Sequence, residues 1–161
     1  MISIDIGCAM LIVYFYKFMR LIIYTDGGSR GNPGPAAIGV VICNDKSKPI
    51  KKYSEAIGET TNNEAEYQAV IFALKKVKAL YGKEEAKKSQ IEMRIDSELV
   101  VNQLNHEFKT EEPNIQQLFL KVWNLMLDFG PIKFLAVPRE QNKEADRLVN
   151  QAFDKEQKKI F

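Results

Sequence analysis

The sequence predicts an α/β domain built on a five-stranded mixed sheet with helices on both faces. Three observations point there. The first half carries three short apolar or β-branched runs separated by turn-rich segments, which read as hairpin-linked strands. Two later strand-like runs alternate with segments of helical period, which is the pattern of parallel strands joined by crossovers. The resulting order is β-β-β-α-β-α-α-β-α. A chain of 161 residues with 45% hydrophobic content can supply the single core this needs.

Each element has its own signal. Residues 21–25 are a compact apolar run closed by Asp26-Gly27-Gly28, a buried strand stopped by a turn. Residues 29–35 form a Gly- and Pro-rich loop. Residues 36–43 are apolar and β-branched, the second strand, and 44–49 a polar turn. Residues 50–58 are a weaker third strand whose lysines place it nearer an edge. Residues 61–81 are the strongest helix. Thr61 is a good N-cap, and Glu64 three residues later completes a capping box. Ala69, Val70, Ala73, Leu74, Val77 and Leu80 form its apolar stripe. Residues 82–89 are a charged connection.

In residues 91–96, Ile91, Met93 and Ile95 alternate with Glu92, Arg94 and Asp96, a strand with one better-buried face. Residues 97–105 read as a short helix and 106–113 as a loop. Residues 114–129 are a helix with Leu118, Val122, Leu125 and Phe129 in phase, stopped by Gly130-Pro131. Residues 132–137 are the fifth strand, 138–141 a loop, and 142–155 the last helix. Residues 156–161 are expected to fray.

The domain is expected at 20–156, with an atypical apolar extension at 1–19 and a short tail at 157–161. The run from Gly7 to Tyr16 is too short to span a bilayer as a helix and lacks the basic flank of a secretory signal. It reads as an extra strand or an apolar tail, with Met19 an alternative start. Cys8 and Cys43 are too few and too far apart for a disulfide framework or a zinc site, so a reduced, cytoplasmic setting is expected. His106 is the only histidine, which excludes zinc chemistry through several histidines. A net charge of +2, from 23 basic and 21 acidic residues, neither demands nor excludes a nucleic-acid partner.

Four acids fall near element ends. Asp26 precedes a glycine, a common turn signal. Asp96 stands before a helix, where an acid is often the N-cap. Asp146 lies in the first turns of a helix, where the dipole favours acids. Glu66 has no such excuse, because it is in phase with the stripe that should face the sheet. A buried carboxylate is costly unless it is paired or holds a metal. If strands 21–26 and 91–96 are parallel neighbours, their ends lie about 5 Å apart and Asp26 faces Asp96. Carboxylates that close repel unless a cation lies between them, and a hard divalent ion such as Mg²⁺ suits oxygen ligands. Two such ions about 4 Å apart can activate a water and stabilise a leaving oxygen in phosphodiester hydrolysis. The glycine-rich loop at 27–35 does not match a Walker pattern.

Tyr24-Thr25-Asp26-Gly27-Gly28-Ser29-Arg30-Gly31-Asn32-Pro33-Gly34 resembles the first signature of the type 1 ribonucleases H. Thr61-Asn62-Asn63-Glu64-Ala65-Glu66-Tyr67-Gln68-Ala69 resembles the second, Asp96-Ser97 the third, and Asn142-Lys143-Glu144-Ala145-Asp146-Arg147-Leu148 the fourth. They come in the family's order and spacing over residues 20 to about 153. The resemblance implies a ribonuclease H-like sheet and two-metal cleavage of the RNA strand of an RNA–DNA hybrid, leaving 5′-phosphate and 3′-hydroxyl ends. It implies that Asp26, Glu66, Asp96 and Asp146 bind two Mg²⁺ ions, with Mn²⁺ a possible substitute, and that Glu66 also meets a ribose 2′-hydroxyl. It assigns Thr61 and Asn62 to a phosphate of the DNA strand, and Gly28, Ser29 and Asn32 to the minor groove. It further implies a monomer acting on hybrids, with no membrane partner.

Two departures stand out. The loop before the last acid, Val137-Pro138-Arg139-Glu140-Gln141, lacks the histidine that many members use in product release. Arg139 or Glu140 is the position left to take part of that role, since His106 falls elsewhere. A basic protrusion present in some members is also missing: residues 105–114 are short and carry Glu107, Glu111 and Glu112. Weaker grip and a lean towards Mn²⁺ follow. Against the nuclease stand a hybrid-binding module without turnover and a structural domain whose acids are caps and turns. A cleavage assay and a metal-dependent melting curve separate the three.

Overall fold

A computed structural model describes residues 18–158; the apolar run at 7–16 and the end of the tail lie outside the described residues. The strands are β1 (Arg20–Ser29), β2 (Gly34–Asn44), β3 (Pro49–Thr60), β4 (Gln90–Ile95) and β5 (Ile132–Ala136). The helices are α1 (Asn62–Lys87), α2 (Glu98–Leu104), α3 (Pro113–Met126) and α4 (Lys143–Lys158), with a short 3₁₀ turn at Arg139–Gln141 before α4.

The sheet order is β3-β2-β1-β4-β5. β1 pairs antiparallel with β2 and parallel with β4, so it is the strand at which the sheet changes sense. β3 is an edge strand, as its lysines led one to expect. Period two sorts the side chains. Leu21, Ile23, Val40, Ile42, Ile91, Met93 and Ile95 meet Tyr67, Val70, Leu74 and Val77 of α1, with Val100, Ile115 and Val122 of α2 and α3 in the same core. Ala37, Val41 and Cys43 face the other way, against Leu148, Val149, Ala152 and Phe153 of α4. Helices therefore cover both faces.

Two glycines let those helices come close. A Cβ on Gly27 would stand 2.2 Å from the Ala65 carbonyl carbon, and one on Gly39 would stand 2.1 Å from the Ala145 oxygen. The first turn of α1 and the first turn of α4 are thus seated almost on the sheet backbone, one from each side.

Several expected boundaries move. The first hairpin pairs further than expected, through Gly28↔Ala37 and Ser29↔Ala36, which shrinks the loop to residues 30–33. The charged connection at 82–89 is mostly helix: α1 breaks at Gly82, whose φ of 82° and ψ of 167° are open to glycine, and then resumes to bury Ala86. Leu80 leaves the expected stripe and is 41% exposed, while Tyr81 packs against the core instead. α3 closes at Met126, and Phe129 reaches the core from the turn beyond it. α4 runs on through Lys158, past the expected end at 155.

Candidate active site

The C-terminal ends of β1 and β4 lie side by side. Thr25 pairs with Ile95, so the next residue on each strand is an acid, Asp26 and Asp96. The dull explanations for both fail on local structure. Asp26 is inside β1 rather than in a turn. The N-cap of α2 is Ser97, whose hydroxyl accepts from the Val100 N–H, so Asp96 is not needed there.

Glu66 arrives from α1. The capping box at its start is complete: Thr61 accepts from the Glu64 N–H, and the Glu64 carboxylate accepts from the Thr61 N–H. The box fixes where the helix begins, and Gly27 lets its first turn down onto β1. Glu66 is then 5% exposed, and its Oε2 has no hydrogen-bond partner. Asp26, Glu66 and Asp96 each present a carboxylate oxygen within 4.8 Å of the others.

Electrostatics follows from that crowding. Burial, then the Asp96 and Asp146 charges, push the Asp26 carboxyl up to about 7; the Arg139 charge and the Gly27 N–H offset part of this. Glu66 is raised well above the usual range, first by burial and then by Asp26 and Asp96. Asp96 is raised by burial, against a hydrogen bond from Asn142. Three acids that resist ionisation together, one with an orphaned buried oxygen, fit the demand of a hard divalent cation.

Asp146 stands apart from the three. It lines the same open groove, of about 520 Å³, but its carboxylate accepts from Arg139 Nη2 at 3.1 Å and from Asn150 Nδ2 at 3.3 Å. Gly28, Ser29 and Asn62 line the groove as well. Asn32 joins them through its Oδ1, which accepts from the Asn62 N–H at 3.1 Å. Thr61 is engaged as the helix cap and does not line the groove. His106 is exposed, packs edge-on to Phe119 and does not line the groove.

Three residues not assigned to the site by sequence reasoning belong to it. Asn142 is 1% exposed and its Nδ2 donates to the Thr25 carbonyl at 2.9 Å, tying the start of α4 to the strand that carries Asp26. Its place in the fourth motif was the available signal. Arg30 and Phe153 form one wall of the groove; nothing local in the sequence pairs them.

A family model described as reverse transcriptase-like matches residues 24–152. A bifunctional protein of Mycobacterium tuberculosis is 39% identical over 137 residues, covering 84% of this chain and 36% of its own length. The chain thus spans about a third of the first curated relatives. A ribonuclease H of Clostridium botulinum is 30% identical over 154 residues, covering 84% of this chain and 96% of that one. Among solved structures, a compost metagenome protein, LC11-RNase H1, in complex with an RNA/DNA hybrid is 44% identical with a TM-score of 0.79, covering 84% of this chain and 97% of its own.

Proposed function

Since the chain belongs to the type 1 ribonuclease H family, we propose that it hydrolyses the RNA strand of RNA–DNA hybrids at internal positions, leaving 5′-phosphate and 3′-hydroxyl ends. The observation that carries this reading is the convergence of Asp26, Glu66 and Asp96 within 4.8 Å on an open groove, with Glu66 Oε2 unpartnered. Asp26, Glu66, Asp96 and Asp146 would hold two Mg²⁺ ions, or Mn²⁺ in their place. Bound there, such ions supply Lewis acidity and a water acidic enough to attack at neutral pH.

The chain's own residues do the positioning. Asp26 and Asp96 are fixed by strand register, and Asn142 braces the junction between them and α4. Glu66 is fixed by the capping box and would accept a hydrogen bond from a ribose 2′-hydroxyl, the group that separates RNA from DNA. Gly28, Ser29 and Asn32 offer a narrow edge to the minor groove, and Thr61 and Asn62 a helix start to a DNA phosphate. Water adds to phosphorus, the bond to the 3′ oxygen breaks, and that oxygen leaves as the hydroxyl.

Arg139 is the residue we place where the loop histidine is missing. Its guanidinium holds Asp146 at 3.1 Å while remaining 77% exposed, so it can bring charge to a departing phosphate. Glu140 shares the loop but makes no such contact with the acids. We read the protein as a monomer working in the cytoplasm; among the described residues no helix is long and apolar enough to cross a membrane.

The test is a cleavage assay on labelled hybrid, duplex RNA and duplex DNA in Mg²⁺ and in Mn²⁺. Cutting confined to the RNA of the hybrid, and lost in Asp26→Asn, is the expected result. An intact hybrid with either metal would refute the proposal.

A further inference from the structure

The acid groove carries two described cations, Arg139 beside Asp146 and Arg30 at the wall next to Phe153. Only the first is engaged with an acid that lines the groove. The Arg30 guanidinium carbon lies 4.5 Å over the Phe153 ring, a stacking distance for this pair. The ring itself is 8% exposed and packed with Ala37, Val149 and Ala152, so the platform is rigid. Among the described residues its acidic partner is Asp154, 3.8 Å from Nη2, and the two side chains are 44% and 66% exposed. That is a weak contact which a better anion can replace.

We infer that Arg30, stacked on Phe153, is a positioning residue that grips a backbone phosphate of the RNA strand next to the one being cut. The inference rests on the nuclease reading and extends it. Arg30 lies four residues beyond Asp26, roughly 13 Å along an extended chain. It is therefore placed beside the reacting centre rather than at it. A planar guanidinium with one face covered by a ring keeps its edge donors in the groove, which suits bidentate capture of a phosphate. The segment between α2 and α3 carries Glu107, Glu111 and Glu112 against a single lysine, Lys109, so it adds no net positive charge for a duplex. A duplex is held mainly through its phosphates, so a single well-fixed cation beside the cut has a large share of the work.

The experiment uses the full chain and a labelled hybrid in Mn²⁺. Arg30→Ala is expected to raise KM about tenfold with kcat little changed, and to lower the slope of log KM against log salt by about one. Arg30→Lys should recover part of the KM, and Phe153→Leu, which keeps the apolar packing, should lose part of it. The decisive readout replaces single RNA-strand phosphates by neutral methylphosphonates. Wild type should be weakened at one position near the cut, and Arg30→Ala should be indifferent to that same position. Equal sensitivity of wild type and Arg30→Ala at every position, or a loss confined to kcat, would overturn the assignment to phosphate. Wild-type protein that fails to cut any hybrid overturns the nuclease reading, and this inference with it; wild type that cuts while Arg30→Ala matches it in KM overturns this inference alone.

Discussion

Glu66 is 5% exposed with one carboxylate oxygen unpartnered, beside two further carboxylates. Without a cation this arrangement is both desolvated and repulsive. Burial first, and then the Asp96 and Asp146 charges, push the Asp26 carboxyl up to about 7 in the folded protein against an ordinary value of 3.8. The folded state then holds a proton that the unfolded chain has already released. Between about pH 4 and pH 7 this group makes stability fall as pH rises; its penalty is absent below that window and complete above it. Metal-free protein should accordingly melt at higher temperature at pH 5 than at pH 8, and Asp26→Asn should flatten the difference. A melting temperature that climbs over that range would contradict the crowding argument. Glu144 acts in the opposite sense and lower down: Arg147 and Lys52 hold it at about 2, so its contribution is lost only as pH falls below its ordinary range. Glu66→Gln is expected to stabilise the metal-free protein and to cut turnover by about a thousandfold, the scale of several kcal/mol of lost Lewis-acid stabilisation. Arg139→Ala should slow turnover while leaving the three-acid cluster able to bind Mn²⁺, followed by the metal-induced shift in melting.

The elements matter because they convert chain positions into a shared point. β1 and β4 bring two acids together by register alone, and α1 brings the third by the depth to which its first turn sinks. Gly27 sets that depth. Gly27→Ala would drive a methyl into the Ala65 carbonyl, so α1 must lift; a loss of about 3 kcal/mol in urea unfolding is expected, at the upper end for overpacking, together with loss of metal-dependent cutting. A variant of unchanged stability and activity would show that the helix start has slack the packing denies. Much of this was legible beforehand. The capping box at Thr61 and Glu64 announced the start of α1, and the phase of Glu66 announced its burial. The end of α1 was not legible, because Gly82 reads as a stop while Ala86 is drawn back into helix by a pocket in the core that local sequence does not reveal. Leu80 failed for a related reason: a stripe is read at a fixed spacing, and after Val77 the side facing the core passes to Tyr81, four residues on, leaving Leu80 outside.

At the scale of the whole molecule, the sheet changes sense at one strand, β1, with a helix start on each face, and the acids gather where these meet. Divalent ion binding there should stabilise the whole fold: at a hundredfold excess over Kd the gain is about 2.7 kcal/mol, seen as a rise in melting temperature that a chelator reverses and Glu66→Gln lacks. No such rise in Mg²⁺ or Mn²⁺ would leave the acids without their proposed partner. By itself the sequence determined the element order and the mixed sheet, and singled out four acids as candidates, because period, capping and motif spacing are local properties that survive in one dimension. Only the tertiary structure decided how those acids divide. It drew Asp26, Glu66 and Asp96 into one cluster and left Asp146 beside Arg139. It also set Arg30 on Phe153, whose positions lie far apart in the chain. Distances across a sheet and between its two helix layers depend on packing depth, and packing depth is fixed by every neighbour at once.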